Sequence, residues 1–109
     1  MNEAKRRKLE AKGWRVGDAQ DFLGLSDQEA AFIEVKLKLA QSLRAKRQKR
    51  GIGQIPFAKI IHSSQSRVAK MEAADSSVSV DLLVRSHLAL GTSGAELGRI
   101  IARPFVKAR

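Results

Sequence analysis

The chain has 109 residues, a length that allows one domain with one modest hydrophobic core. It contains no cysteine, which excludes disulfides and thiolate metal sites, and no apolar run reaches the roughly 20 residues that a membrane-spanning helix needs. Because no apolar signal core follows the basic N-terminus, we expect a cytoplasmic protein, and its net charge of +10 favours an anionic partner.

Residues 1–25 are predicted to form an extension in front of the main domain. Residues 2–12 have the composition of a short basic helix, which Gly13 ends. The acidic stretch that follows contains a set of apolar candidates for partner binding: Trp14, Phe22 and Leu23. Two interpretations stay open for this set. It packs against the chain's own core, or part of it forms a docking surface for another protein.

A long helix is predicted from residue 27 to about residue 50. Ser26 and Glu29 form a capping box at its start, and Gly51 marks its end. An apolar stripe at three- and four-residue spacing is expected to be buried: Ile33, Leu37, Ala40 and Leu43. The lysines of this helix are expected to lie mostly outside the stripe, with Lys46 among the contacts to phosphate.

Residues 53–72 are predicted to form a short helix, a tight turn and a second short helix. Apolar residues fall on one face of each: Phe57, Ile60 and Ile61 in the first, Val68 and Met71 in the second. Ser63 or Ser64 in the turn can cap the second helix. That helix directs four polar or cationic side chains outward: Gln65, Ser66, Arg67 and Lys70. Such a set, without an acid, is typical of a helix that contacts base edges and phosphates.

A loop follows at residues 73–78, and its small and hydroxyl residues, Ser76 among them, are suited to meet phosphate. A helix over residues 80–90 is expected to be largely buried through its leucines: Leu82, Leu83, Leu88 and Leu90. A second capping box begins the last helix: Ser93-Gly94-Ala95-Glu96. The sequence therefore predicts an all-α domain of five helices over residues 26–103, followed by a tail at 104–109.

Charge is distributed unevenly along the chain. Residues 35–70 carry ten cations and no anion, whereas residues 16–34 carry five anions and no cation. A basic segment of this length that coincides with a helix–turn–helix pattern favours nucleic acid as the partner.

An enzymatic function has little support in the sequence. His62 lies in the predicted turn and His87 in a predicted helix, and neither has a cysteine or a spaced His or Asp partner for a metal site. The two glycines of residues 51–53 follow no strand and precede no Lys-Ser or Lys-Thr pair, so they do not form a phosphate-binding loop. We therefore expect no catalysis, no metal ion and no cofactor.

Residues 53–72 resemble, without a gap, the helix-turn-helix of the phage repressor/Cro (XRE) family. The resemblance rests on Gln54 at the start of the first helix, Ala58 in its middle, a serine-rich start of the second helix, and Glu72 at its end. His62 stands where the family usually has glycine, and it must adopt a left-handed backbone that histidine tolerates better than most residues. The family implies a five-helix, lambda-repressor-like domain whose second short helix enters the major groove.

The resemblance also implies roles for individual residues. Gln54 is expected to bind phosphate and to orient Gln65, while Arg47 and Glu72 form an ion pair that braces the first helix against the recognition helix. Contacts to bases or to the DNA backbone are implied for Gln65, Ser66, Arg67, Lys70, Ser64, Arg44 and Ser76. Because one helix reads few base pairs, a homodimer on double-stranded DNA is expected. The last helices would join its subunits through Leu97 or Ile101.

Beyond the fold, the chain resembles HigA-type antitoxins, the DNA-binding partners of RelE/HigB-like ribonuclease toxins. The resemblance is carried by Gly-Trp-Arg-Val-Gly at 13–17 with residues 22–26, by residues 63–72, and by Val-Ser-Val-Asp-Leu-Leu at 78–83. The anions of residues 16–34 would complement a basic toxin, although the same acids also suit helix N-termini. Two readings stay open: the antitoxin and autorepressor of a toxin–antitoxin operon, and a solitary XRE-family repressor.

Overall fold

The computed structural model describes residue 24 and residues 26–104, and the secondary structure of this part consists of five α-helices without a strand. They are α1 (Asp27–Lys49), α2 (Gln54–Ile60), α3 (Gln65–Glu72), α4 (Val80–Ala89) and α5 (Gly94–Ala102). The predicted all-α class with five helices is thereby confirmed. None of these helices has both the length and the apolar character that crossing a bilayer requires.

Several predictions concern residues outside the described ranges. These are the basic arm, the apolar set of Trp14, Phe22 and Leu23, and the tail after Pro104. Their roles stay predictions, as do the domain boundaries at residues 25 and 103.

Helix α1 begins at a reciprocal capping box. The Ser26 N–H donates to Glu29 Oε1 (3.2 Å), and the Glu29 N–H donates to Ser26 Oγ (3.1 Å). The bond from the Ser26 N–H to the carboxylate favours its charged form and, with the Ser26 side chain, lowers the pKa of Glu29. The helix continues for 23 residues, which corresponds to about 35 Å. Its later part belongs to the compact unit Lys36–Arg103, which also contains the other four helices.

The core of the Lys36–Arg103 unit draws on every helix. Its buried apolar residues are Leu39, Ala40, Leu43, Phe57, Ala58, Val68, Met71, Ala74, Val78, Leu83, Leu90 and Ile100. Helices α2 and α3 pack against each other, and each inserts two of these residues into the core. Burial of this apolar surface therefore holds the α2–turn–α3 segment against the rest of the unit.

Two predicted core residues are exposed instead. Ile60 is 47% exposed and Leu88 is 52% exposed. Successive helical residues are rotated by about 100°, so Ala58 and Ile61 lie on one side of the buried Phe57. Ile60 lies on the other side of Phe57, where it is exposed. In α4, positions i, i+3, i+4 and i+7 from Leu83 form the buried face: Leu83, Ser86, His87 and Leu90. The prediction followed hydrophobicity and placed Leu88 inside, but helical geometry buries the polar Ser86 and His87.

The buried face of α1 also differs from the predicted stripe. Ala40 and Leu43 are buried, whereas Ile33 and Leu37 are only half-buried. Two cations, Lys36 and Arg47, are 8% exposed and complete the face at the same three- and four-residue spacing. Their long aliphatic stems can cover apolar surface because each charged head has a hydrogen-bond partner.

Two loop residues adopt the left-handed backbone that favours glycine. His62, in the turn between α2 and α3, has φ +54°, and Ala74, after α3, has the same φ. The left-handed conformation expected for His62 is therefore present. In the turn, the Ser63 N–H donates to the Ala58 carbonyl at 2.7 Å, so the strained residue closes the chain back onto α2.

Replacing His62 with glycine should stabilise the domain. A non-glycine residue in this region carries about 1–2 kcal/mol of strain, from which glycine's greater freedom in the unfolded chain subtracts about 0.4–1 kcal/mol. We expect His62→Gly to raise the free energy of unfolding by about 0.5–1 kcal/mol in urea titrations. His62→Ala, which keeps the Cβ and the strain, is the control, and a glycine variant no more stable than the alanine variant contradicts the prediction.

Candidate nucleic-acid interface

Helix α3 starts from a side-chain cap. Ser64 is extended (φ −112°, ψ 158°), and its Oγ accepts a hydrogen bond from the Arg67 N–H at 3.2 Å. This bond satisfies one of the backbone donors that the first turn of a helix leaves unpaired. The Ser64 hydroxyl is exposed and retains its own proton, so it can cap the helix and still donate to a phosphate oxygen.

Helix α3 has one buried face and one exposed face. Val68 and Met71 are fully buried. The exposed residues include four of the predicted DNA contacts: Gln65, Ser66, Arg67 and Lys70. Glu72 is the one acid of α3, and its side chain is only 4% exposed. The exposed face therefore presents donors, an amide and two cations, with no carboxylate to repel phosphate.

Glu72 is turned inward onto Arg47 of α1. Arg47 Nε lies 2.5 Å from Glu72 Oε2, and Arg47 Nη2 lies 3.0 Å from Glu72 Oε1, so the pair is bidentate. Arg47 Nη1 also donates to the Ile52 carbonyl at 2.7 Å. The bonds to Glu72 raise the pKa of Arg47. One guanidinium thus joins α1, the α1–α2 connection and the end of α3.

The same carboxylate aligns two glutamines. Gln54 Nε2 donates to Glu72 Oε1 at 3.1 Å, and Gln65 Nε2 donates to Gln54 Oε1 at 3.3 Å. Glu72 only accepts, so the amide nitrogen of Gln54 faces it and the amide oxygen faces Gln65. The Gln65 amide keeps its oxygen and one N–H for a ligand. These are the two groups that a bidentate contact to adenine uses.

The remaining predicted contacts lie apart from this chain of hydrogen bonds. Arg44 on α1 and Ser76 in the loop after α3 are both exposed. Beside Ser76, the Asp75 carboxylate accepts from the N–H and the hydroxyl of Ser77, at 2.9 and 2.7 Å, which shapes the loop.

Lys46 was expected at phosphate, and this expectation is wrong. Its Nζ donates to Thr92 Oγ1 (2.7 Å) and to Glu96 Oε1 (3.0 Å). The sequence interpretation missed this because Glu96 lies 50 positions away. The network that contains Lys46 also contains His87, and no pattern along the chain indicates that these two residues share it.

The basic segment divides into inward and outward cations. Lys36 and Lys38 donate to the backbone carbonyls of Asp75 and Ile101, while Lys46 and Arg47 pair with acids. Six cations of residues 35–70 stay exposed: Arg44, Lys49, Arg50, Lys59, Arg67 and Lys70. No group of three His, Cys, Asp or Glu residues within 24 and 26–104 is arranged to hold a metal ion.

Comparison with known proteins identifies one matching family. A family model described as Helix-turn-helix matches residues 43–97, slightly more than half of the chain. The match begins in α1 and ends in α5, so it contains α2 and α3 completely. No curated protein and no solved structure matched the chain.

Replacing Glu72 with alanine should destabilise the domain strongly. The change leaves the Arg47 guanidinium buried without its counter-charge. We therefore expect chemical unfolding to show a free energy of unfolding lower by about 3–5 kcal/mol. Asp81→Ala is a matched control because it breaks the exposed pair of Asp81 with Arg85, whose side chains are 72% and 76% exposed, and should change stability by less than about 1 kcal/mol. Equal effects of the two substitutions would show that the buried pair does not brace α3.

Proposed function

The chain belongs to the XRE-type helix-turn-helix family of DNA-binding transcriptional regulators, and on this basis we propose that it binds duplex DNA sequence-specifically, with α3 in the major groove. The observation that carries the proposal is the division of α3 into two faces. Val68 and Met71 anchor the helix in the core, and the exposed face has hydrogen-bonding and cationic side chains and no acid.

Base recognition is assigned to Gln65, Ser66 and Lys70. A glutamine amide pairs best with adenine and a lysine ammonium with guanine, and a good bidentate contact discriminates by about 1–3 kcal/mol. Arg67 can reach either a base or a phosphate. The alignment of Gln65 by Gln54 supports this assignment, because a side chain held in place before binding loses less entropy when it binds.

Contacts to the DNA backbone are assigned to residues around α3. Gln54 is directed to phosphate with the N–H that Glu72 does not use. Ser64, Arg44 and Ser76 are exposed and carry the remaining contacts. Such contacts set the register of the protein on the duplex without reading its sequence.

We further propose a homodimer. A single recognition helix reads only a few base pairs, and two copies can read half-sites about 34 Å apart. The last helices are the proposed contact, since Ile101 of α5 is 39% exposed and Leu97 is half-buried.

The proposal predicts different effects for a base-reading and a backbone-binding residue. Preferred sites are first selected from random duplexes with the wild-type chain. Gln65→Ala should then reduce the preference for the selected site over a scrambled one by about 5- to 150-fold. Arg44→Ala should weaken binding to both duplexes equally. It should also reduce the slope of the logarithm of the binding constant against the logarithm of the salt concentration by about 1. Both residues are exposed, so thermal unfolding should be unchanged. Equal losses on both duplexes for Gln65→Ala would remove it from the base-reading set.

We also propose an antitoxin role, with a solitary repressor as the alternative. The support is the resemblance to HigA-type antitoxins and the five anions of residues 16–34. In addition, Phe32 is 57% exposed on α1, one turn after the exposed Glu29. An exposed aromatic residue among acids suits a basic, partly apolar partner such as a RelE/HigB-like toxin.

Co-purification tests the antitoxin role. A small basic protein encoded beside this chain should co-purify with it when both are expressed together. Asp18→Asn combined with Asp21→Asn should weaken the complex without weakening DNA binding, because both acids precede the matched helix-turn-helix region. Failure of the neighbour to bind the wild-type chain would exclude the antitoxin role, and the repressor role would stand.

A further inference from the structure

A second polar network lies inside the compact unit, away from the residues assigned to DNA. His87 of α4 is 0% exposed. Its Nε2 lies 3.0 Å from the Leu39 carbonyl oxygen of α1, and its Nδ1 lies 3.1 Å from Thr92 Oγ1. Lys46 of α1 donates to the same Thr92 oxygen and to Glu96 of α5. The network thus joins α1, α4, the α4–α5 loop and α5.

The hydrogen-bond partners determine the protonation state of the imidazole. A carbonyl oxygen only accepts, so Nε2 carries the proton and donates to Leu39. The ammonium of Lys46 only donates, so Thr92 Oγ1 accepts from it and can direct its hydroxyl proton to Nδ1 of His87. The neutral Nε2–H tautomer therefore satisfies the whole network.

A second proton on His87 disturbs this arrangement in two ways. It lies on Nδ1, where the Thr92 hydroxyl proton now points, so the hydroxyl must turn away. It also adds a positive charge near Lys46 in a buried site, and the Glu96 carboxylate, the anion facing it from α5, is already paired with Lys46. Burial lowers the pKa of His87, and Lys46 lowers it further, against the Leu39 carbonyl and Glu96, which raise it.

We propose that the His87–Thr92–Lys46 network is a proton-sensitive latch between α1 and helices α4 and α5. While His87 is neutral, the latch is closed and the domain is fully packed. Mild acidification favours the open, unfolded chain, in which His87 can take up a proton, and so lowers the stability of the folded domain. This device does not depend on what the α3 surface binds.

The pH range in which the latch opens follows from the two states of the chain. The unfolded chain takes up a proton on His87 as the pH falls through about 6.5, the ordinary pKa of histidine, while the folded domain excludes it. The contribution of His87 to the stability of the folded domain is therefore complete above this pH and is lost progressively below it. The unfolding equilibrium constant rises by up to about tenfold per pH unit. Lys46 holds the pKa of Glu96 below its usual value, so between pH 7.5 and 5 the carboxylate stays charged.

Urea unfolding at several values between pH 7.5 and 5 tests the latch. The wild-type chain should lose stability across this range by up to about tenfold in the equilibrium constant for each unit below 6.5. The His87→Gln variant should lose little stability across the same range, because glutamine has an N–H for the Leu39 carbonyl and does not titrate. His62→Asn is the matched control, since His62 is the other histidine and asparagine tolerates its left-handed backbone. The stability of the His62→Asn variant should fall with pH as steeply as that of the wild-type chain.

Side-chain nitrogen NMR of the wild-type chain gives a second readout that does not depend on a variant folding. The His87 ring should stay in the Nε2–H tautomer below pH 6.5 while the domain remains folded. The latch is refuted if His87 takes up its proton at or above pH 6.5 in the folded domain. It is also refuted if a folded His87→Gln variant loses stability with acid as steeply as the wild type.

Discussion

The ion pair of Arg47 and Glu72 fixes how α3 is held against α1. Two charges taken out of water are tolerated only when they meet in good geometry, and here both carboxylate oxygens meet the guanidinium. The pair therefore permits few orientations of α3 on α1. Because Gln54 binds the same carboxylate and Gln65 binds Gln54, side chains at the exposed face are aligned by a pair that is itself buried.

The excess of positive charge has two separate uses. Four cations of α1 turn inward and reach the loop after α3, the end of α5, the start of α5 and the end of α3. The other six of the basic segment are exposed, where they can neutralise phosphate. The net charge thus overstates the charge available to a partner, because part of it holds the helices together.

Two neighbouring residues of α1 serve different networks. Arg47 points to α3 and supports the surface proposed to read DNA, whereas Lys46 points to Thr92 and Glu96 and belongs to the network of His87. The guanidinium stays charged at any physiological pH, but the imidazole does not. The cation that braces α3 therefore keeps its charge in mild acid, whereas the titratable group of the proposed latch lies at the contact of α1 with α4 and the α4–α5 loop.

Local signals in the sequence were sufficient for the five helices, the capping box at Ser26 and the two-faced character of α3. These features depend on periodicity and on hydrogen bonds between residues a few positions apart, so they can be predicted from the sequence. The inward turn of Lys46, the burial of His87 and the exposure of Ile60 and Leu88 were decided by tertiary structure. Each depends on a neighbour far away in the sequence or on how a helix is rotated, and hydrophobicity alone specifies neither.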